Sequence, residues 1–212
     1  MSSLGKARRE MASYRLTPWE VERIIKKLGG IEGVKLFLSK EEKREFEVWR
    51  TVRLGTGLTA EDFLRALDIG GFITTNWAAE ILRNPAFRVA AEKIEVNLIK
   101  ASVDDLGFGR GALLNQIYDC ARRKRGWGLC PAELGPQLRL QYRDQPDGEE
   151  IIVGMESIRG SADYPEIFDV ECADGELYLN SRRGDLGFLW SADSEWVFVF
   201  LPPLEKRDSL EK

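Results

Sequence analysis

The spacing of the apolar residues changes near residue 137, and this change constrains the fold more than any other feature of the sequence. Before this point apolar residues recur at the three- and four-residue intervals of amphipathic helices, as at Val21, Ile24 and Leu28. After it they alternate with polar residues or form short runs between turn sequences, which is typical of strands. The sequence therefore predicts a helical N-terminal half followed by a strand-rich C-terminal half.

Two helices of the N-terminal half have clear start signals. The tetrapeptide TPWE at 17–20 combines a threonine N-cap, a proline at the first helical position and a glutamate that completes a capping box. The tetrapeptide TAED at 59–62 predicts a second capped helix. A third helix is predicted over Asn76–Arg83, and two short strands are predicted over 46–54 and 94–101.

The C-terminal half begins with Leu138, Leu140 and Tyr142, which alternate with Arg139 and Gln141 and so predict a strand. Further strands are predicted on both sides of the turn QPDG at 145–148 and of the hairpin turn ADG at 173–175. The predicted fold class is α+β: a helical N-terminal half with short strands, packed on a C-terminal antiparallel β-meander or small barrel.

The predicted organisation has four regions. A flexible N-terminal segment covers 1–15, and a mainly helical region with two short strands covers 16–136. An antiparallel β region covers 137–204, and a charged tail covers 205–212. The first and last of these contain few large apolar residues and many charged ones.

The sequence contains no histidine. This excludes a serine or cysteine nucleophile activated by histidine, a histidine-ligated zinc and a histidine pH switch. Cys120, Cys130 and Cys172 are odd in number and form no CxxC pair, so three buried, reduced thiols are expected. The first residues lack the apolar core of a signal peptide, and no apolar run is long enough to span a bilayer. These features predict a cytoplasmic protein without membrane contact.

Three stretches carry a resemblance: LCPAELGPQLRLQY at 129–142, GMESI at 154–158 and VRLGTGL at 52–58. Together they resemble a family of uncharacterised bacterial proteins of about this length. Members of that family pair a helical N-terminal half with a strand-rich C-terminal half, and the resemblance covers about residues 16–200. It implies an intracellular bacterial protein, and it implies no activity, cofactor or site.

One candidate binding site is the basic run Arg122-Arg123-Lys124-Arg125 with Trp127 beside it. Basic side chains contact phosphates and an aromatic ring stacks on bases, so this pattern suggests a nucleic-acid-binding module. Cations also stabilise a helix C-terminus, which is where the run is predicted to lie. The chain has 31 basic and 35 acidic residues and a net charge of −4. We therefore favour the helix-terminus interpretation, and nucleic acid is a partner that is not favoured.

Acidic residues suggest a second chemistry, because carboxylates bind Mg²⁺ and activate water. A histidine-free, Mg-dependent hydrolase or nuclease is accordingly an alternative function. A nuclease of the PD…ExK kind needs a lysine just after its second acid, and the sequence has no lysine between Lys124 and Lys206. We therefore favour solvated acids, and we assign no catalytic residue, metal ligand or cofactor. The acids considered are Asp104, Asp105, Asp147, Glu149, Glu150, Glu156, Asp163, Asp169 and Glu171.

The most informative candidate is a polar face formed by Arg139, Gln141 and Glu156. If 137–142 is a strand, Arg139 and Gln141 share one face and Tyr142 joins the leucines on the other. Glu156 lies on the next predicted strand, so we expect Arg139 and Glu156 to form an ion pair next to whatever the protein binds.

These observations favour one function: an intracellular bacterial binding or interaction module without catalytic activity. Another protein is the expected partner. The predicted binding residues are those of the polar face and the basic run: Arg139, Gln141, Glu156, Arg122, Arg123, Arg125 and Trp127.

Overall fold

Residues 17–34 and 46–201 are the part of the chain that the computed structural model describes. The predicted segment 1–15 and the predicted tail 205–212 lie outside these residues. The chain divides into two units, 1–45 and 46–212. Within the described residues, no helix is both long enough and apolar enough to cross a membrane.

The first unit contains helix α1 (Pro18–Lys27), and its start confirms the predicted capping box. The Thr17 hydroxyl accepts a hydrogen bond from the Glu20 amide, and the Glu20 carboxylate accepts one from the Thr17 amide at 2.8 Å. After the helix, Gly29 and Gly30 both have positive φ, a backbone conformation that glycine adopts without a Cβ clash.

The second unit contains four α-helices in its described residues. They are α2 (Ala60–Ile69), α3 (Asn76–Arg83), α4 (Leu114–Asp119), which continues into a π-helical turn (Cys120–Lys124), and α5 (Leu134–Gln141). The capping box predicted at Thr59 is present at the start of α2, and α3 has the predicted bounds.

The described residues also contain ten strands. They are β1 (Arg50–Leu54), β2 (Ile73–Thr74), β3 (Ile94–Ser102), β4 (Ala112–Leu113), β5 (Glu150–Val153), β6 (Ile158–Arg159), β7 (Pro165–Ala173), β8 (Glu176–Arg183), β9 (Leu189–Trp190) and β10 (Glu195–Val199). Seven of them form a curled sheet in the order β1-β3-β10-β5-β7-β8-β2, with β6 paired to β7, while β4 and β9 pair separately.

The fold is α+β as predicted, but two finer expectations are wrong. The sheet is mixed rather than antiparallel, because β10 pairs in parallel with β5 and β2 pairs in parallel with β8. The helices are not confined to the N-terminal half, and strands β1 and β3 from that half are joined to the C-terminal strands through β10. Strand pairing is set by tertiary packing, which local sequence patterns do not reveal.

The hairpin β7–β8 confirms the predicted turn at 173–175. Ala173 faces Glu176 across the strands, and Asp174 and Gly175 form the two-residue loop with φ of 53° and 76°. Two consecutive positive φ values match the twist of an antiparallel pair, and an Asp-Gly dipeptide accommodates them readily. This hairpin is the longest paired segment of the sheet and fixes the register of the residues discussed below.

The strand predicted from residue 137 is wrong, because this segment is helix α5. Six consecutive residues of α5, from Leu134 to Arg139, are buried, including the polar side chains of Gln137 and Arg139. Leucine and polar residues of α5 are buried alike, so their alternation does not distinguish a core face from a solvent face. The predicted strand, which rested on this two-residue period, is therefore wrong. Gly135 allows the close approach to the sheet: a Cβ there would lie 2.5 Å from the Phe168 ring.

The core extends over both faces of the sheet. On one face the Trp196 and Phe198 rings pack against Tyr118 of α4, and the Tyr118 hydroxyl donates to the Met155 carbonyl at 2.7 Å. On the other face Phe168 lies under α5. The three cysteines are buried and form no disulfide with one another, which confirms the expectation that they are buried. Burial raises the pKa of the Cys130 thiol, so it stays protonated at neutral pH.

Candidate functional site

A cleft of about 710 Å³ opens where β5, β8, β9 and the start of β10 come together. Its lining mixes apolar side chains with a majority of polar and charged ones, and its charged residues come from segments far apart in sequence. The lining residues used below are Glu149, Glu150, Ile152, Arg182, Phe188 and Trp190.

The two glutamates reach the cleft because the turn 145–148 ends immediately before them. Gly148 has a φ of +81° and directs the chain into β5. Behind them, the Tyr142 hydroxyl at the end of α5 donates to the Glu149 carboxylate at 2.7 Å. Lys100 binds Glu149 at 2.8 Å and Glu195 at 3.0 Å. Desolvation lowers the pKa of Lys100, but its hydrogen bonds to the two glutamates outweigh this and raise it.

Arg182 is the central charge of the cleft. Its guanidinium lies 2.7 Å from the Glu150 carboxylate, 3.7 Å from that of Asp169 and 3.8 Å from that of Glu171. The strand register explains this grouping. Asp169 lies opposite Asn180 of β8 and Ile152 of β5. Glu171 lies opposite Glu150. Residues directly opposite one another on paired strands share a sheet face. Three carboxyl groups therefore share one guanidinium.

Asp169 is fully buried, and neither of its carboxylate oxygens has a hydrogen-bond partner from another residue. Burial raises the pKa of this carboxyl well above its usual range; Arg182 opposes the shift, and the neighbouring Glu150 and Glu171 add to it. The side chain lies on the opposite sheet face from Phe168, because successive residues of a strand alternate. It is therefore on the face that carries Ile152 and Arg182 of the cleft.

Aromatic side chains form the apolar part of the lining. The Phe188 and Trp190 ring centroids are 5.1 Å apart in an edge-to-face arrangement, and Trp190 packs in turn on Trp196 of the core at 4.7 Å. Phe188 is 40% exposed, and its neighbours Leu186 and Leu189 are 60% and 63% exposed. An exposed apolar segment, Leu186–Leu189, therefore includes the lining residue Phe188.

The predicted ion pair between Arg139 and Glu156 is wrong. Arg139 is fully buried in α5, where it donates to the Gln145 side chain at 2.6 Å and to the Tyr142 carbonyl. Glu156 is exposed and pairs with Arg122. The expectation failed because it rested on a strand at 137–142, and a helix places Arg139 among buried backbone carbonyls.

Gln141 also differs from its predicted placement on a polar sheet face. Its side-chain amide pairs with the backbone of Arg53 in β1: it accepts from the Arg53 amide at 3.0 Å and donates to the Arg53 carbonyl at 2.9 Å. It therefore satisfies backbone groups of an edge strand. The ligand-binding roles predicted for Arg139, Gln141 and Glu156 stay predictions.

The basic run lies in the π-helical turn after α4. Arg122 pairs with Glu156, Arg123 lies 3.4 Å from Asp119, and the Arg125 guanidinium lies over the Phe46 ring. Trp127 is only 6% exposed, and it packs edge-on against Phe46. The structure brings acids to the run and occupies the tryptophan ring with core residues; a nucleic-acid role for the run stays a prediction.

The cleft was not predicted as a site, although Glu149, Glu150, Asp169 and Glu171 were among the acids considered for metal binding. Within the residues that the structure describes, no three acidic or cysteine side chains are grouped so as to hold a metal ion. A sequence signal for the cleft does exist: residues 160–204 contain nine acidic residues and only two basic ones, the adjacent Arg182 and Arg183. With two bases for nine acids, those acids of this segment that pair within it must share a cation.

Comparisons of the chain with models of protein families, with curated proteins and with solved structures give no significant match.

Proposed function

We propose that this protein is a binding module without catalytic activity of its own, and that it engages another protein through the cleft and the apolar segment Leu186–Leu189. The observation that carries this proposal is the cleft itself, a concave surface of about 710 Å³ whose lining includes the exposed Phe188, with the exposed Leu186 and Leu189 next to Phe188 in the sequence. Concave sites with apolar walls and a few placed polar groups are where proteins bind ligands.

The apolar segment favours a protein partner. Three large apolar side chains within four residues of sequence are exposed, and exposed apolar side chains supply the contacts of protein interfaces. The backbone under this segment is held in place: the amides of Leu114 and Asn115 donate to the carbonyls of Phe188 and Leu186 at 3.1 and 3.0 Å. An ordered apolar segment binds at a lower entropic cost than a disordered one.

The charged lining fits binding, because its acids are engaged with Arg182 and Lys100 and hold fixed positions. We place the module inside a bacterial cell because of the family resemblance and because its cysteines form no disulfide.

Site-specific photo-crosslinking tests the proposal. A photoreactive phenylalanine analogue replaces the exposed Leu189, which lies between the lining residues Phe188 and Trp190 in the sequence, and in a matched variant it replaces Ile94, which is also exposed. Ile94 lies eight residues along β3 from Ser102, the partner of Glu195, which is roughly 26 Å away. We expect discrete protein adducts in cells from position 189 and none from position 94. Equal labelling at both positions, or none at either, would contradict the proposal.

A further inference from the structure

We infer that the cleft recognises a cationic side chain, a lysine ammonium or arginine guanidinium, presented by a partner protein with apolar residues on either side of it. This inference rests on the proposed function and specifies the chemistry of the partner. It is carried by the charge of the cleft, by the buried carboxyl of Asp169 and by the aromatic lining.

The charge of the cleft is the first argument. Arg182 is shared by Glu150, Asp169 and Glu171, and Lys100 is shared by Glu149 and Glu195. The remaining base of the lining, Arg183, pairs with Asp185 at 2.7 Å. Carboxyl groups thus outnumber bases, and the bases already have acidic partners. Surplus negative charge in a concave surface attracts a cation and speeds its association.

The second argument is Asp169. A fully buried carboxyl with no hydrogen-bond donor on either oxygen is a rare and costly arrangement, and Arg182 approaches it only to 3.7 Å. Arg182 makes its closest contact with Glu150, which lines the cleft. A cation that binds Glu150 from the cleft would free Arg182 to move toward Asp169. Binding would then relieve the unsatisfied carboxyl, which favours the occupied state.

The third argument is the aromatic lining. Phe188 exposes a large part of its ring in the cleft, and Trp190 packs at its edge. Cations are attracted to aromatic faces, and the attraction strengthens when water is excluded. Leu186 and Leu189 are exposed on either side of Phe188 in the sequence and offer contacts to apolar residues of a partner segment. A free polyamine would leave these leucines exposed, so the arrangement favours a protein segment.

Fluorescence anisotropy with labelled synthetic peptides tests this inference. The probe is acetyl-Gly-Leu-Lys-Leu-Gly-amide, and matched peptides carry glutamine or glutamate in place of lysine. We expect the lysine peptide to bind at least tenfold more tightly than either, and to lose affinity as salt is raised because the attraction is electrostatic. Equal affinity for the lysine and glutamine peptides would overturn the inference.

Variants locate the binding. Glu150→Gln and Phe188→Ala should each weaken the lysine peptide at least fivefold. Glu61→Gln makes the same charge change outside the cleft, where Glu61 pairs with Arg83, and should leave affinity unchanged. Phe188 is partly exposed, so Phe188→Ala keeps the test valid if Glu150→Gln unfolds the protein. Unchanged affinity in Phe188→Ala would overturn the placement in the cleft.

An ammonium group can belong to a lysine of a partner protein or to a free polyamine, and spermidine distinguishes these two sources. We expect it to bind more weakly than the lysine peptide, and we expect Leu189→Ser to weaken the peptide but not spermidine. If spermidine binds as tightly and Leu189→Ser has no effect, the ligand is a free amine and the inference of a protein segment is wrong. Protein adducts can form at position 189 while the peptides show no preference for lysine. That result would reject this inference and would still support the proposed function.

Discussion

Two short helical segments of this protein contain the basic residues predicted to bind a partner, and the structure treats their charges in opposite ways. Arg139 of α5 is buried and donates to the Glu171 and Tyr178 carbonyls, and the nearby Glu133 is buried and accepts from the Gly55 amide. In the π-helical turn, Arg122 and Arg123 are exposed and pair with exposed acids. A charged residue in a helix can therefore hold distant segments together or contribute almost nothing to stability, depending on burial.

The largest effect is expected at Arg139. Arg139→Leu removes the donors that reach Gln145 and the carbonyls of Tyr142, Glu171 and Tyr178, and leaves these acceptors unsatisfied in the interior. We expect a loss of about 3 kcal/mol in the free energy of unfolding, measured by urea denaturation. Burial lowers the pKa of Arg139 to about 10, so the residue is charged at neutral pH.

Arg143→Leu is the matched control for Arg139. Both guanidinium groups lie over the Phe72 ring, at 5.2 and 4.6 Å, but Arg143 is exposed. The control should cost less than about 1 kcal/mol. Equal losses in the two variants would show that contact with Phe72, rather than burial, decides the effect.

A smaller loss is expected at Glu133. Its carboxylate accepts hydrogen bonds from the amides of Gly55 at 2.8 Å and Ala90 at 2.7 Å, so one side chain ties two loops to α5. Glu133→Ala leaves both amides without this acceptor, and we expect a loss of about 2 kcal/mol by urea denaturation. The exposed Glu61→Ala serves as the control, with less than about 1 kcal/mol expected. If Glu133→Ala is as stable as this control, the hydrogen bonds of Glu133 to the two loops do not stabilise the fold.

The buried acid of the cleft predicts a dependence of stability on pH. Because the folded pKa of Asp169 is raised, the folded state binds more protons than the unfolded state above pH 4. Its contribution to stability is therefore complete below the unfolded pKa near 3.9 and is lost as pH rises toward the folded pKa. Asp169→Asn should remove this downward slope, which for one proton is at most about 1.4 kcal/mol per pH unit.

Thermal unfolding of both proteins between pH 2 and 8 measures this slope, and the acidic end of the range covers the titration of the control residue Asp62. Asp62→Asn is the control of opposite sign, because hydrogen bonds from Thr59 lower the pKa of Asp62. The contribution of Asp62 is present above its unfolded pKa and is lost as pH falls through its folded pKa. Parallel curves for wild type and Asp169→Asn would contradict a proton held by Asp169.

The smallest effect is expected for Arg122 and Glu156. Their side chains are 49% and 78% exposed, so water screens the pair. Each single substitution to alanine should cost less than about 1 kcal/mol, and the double-mutant cycle should give a coupling below about 1 kcal/mol. A coupling of several kcal/mol would show that this exposed pair stabilises the protein as much as the buried charges near α5 do.

Local interactions are what the sequence determined. The capping boxes at Thr17 and Thr59, the helix over Asn76–Arg83 and the hairpin turn at Asp174-Gly175 involve groups within a few residues of one another. Their geometry follows from side chains and backbone that are neighbours in the chain, so their patterns are readable without the rest of the fold. The burial of the cysteines also followed from composition and spacing.

Contacts between distant segments were decided only by the tertiary structure. The parallel pairing of β10 with β5 joins residues more than forty positions apart, and it brings Glu149 and Glu195 to one cleft. Helix α5 satisfies its polar side chains with distant groups, as Glu133 does with Gly55 and Ala90, and this burial hides its helical period. A sequence pattern shows which side chains are polar, but the segments packed around them decide which carboxylate binds a backbone amide and which remains to attract a cation.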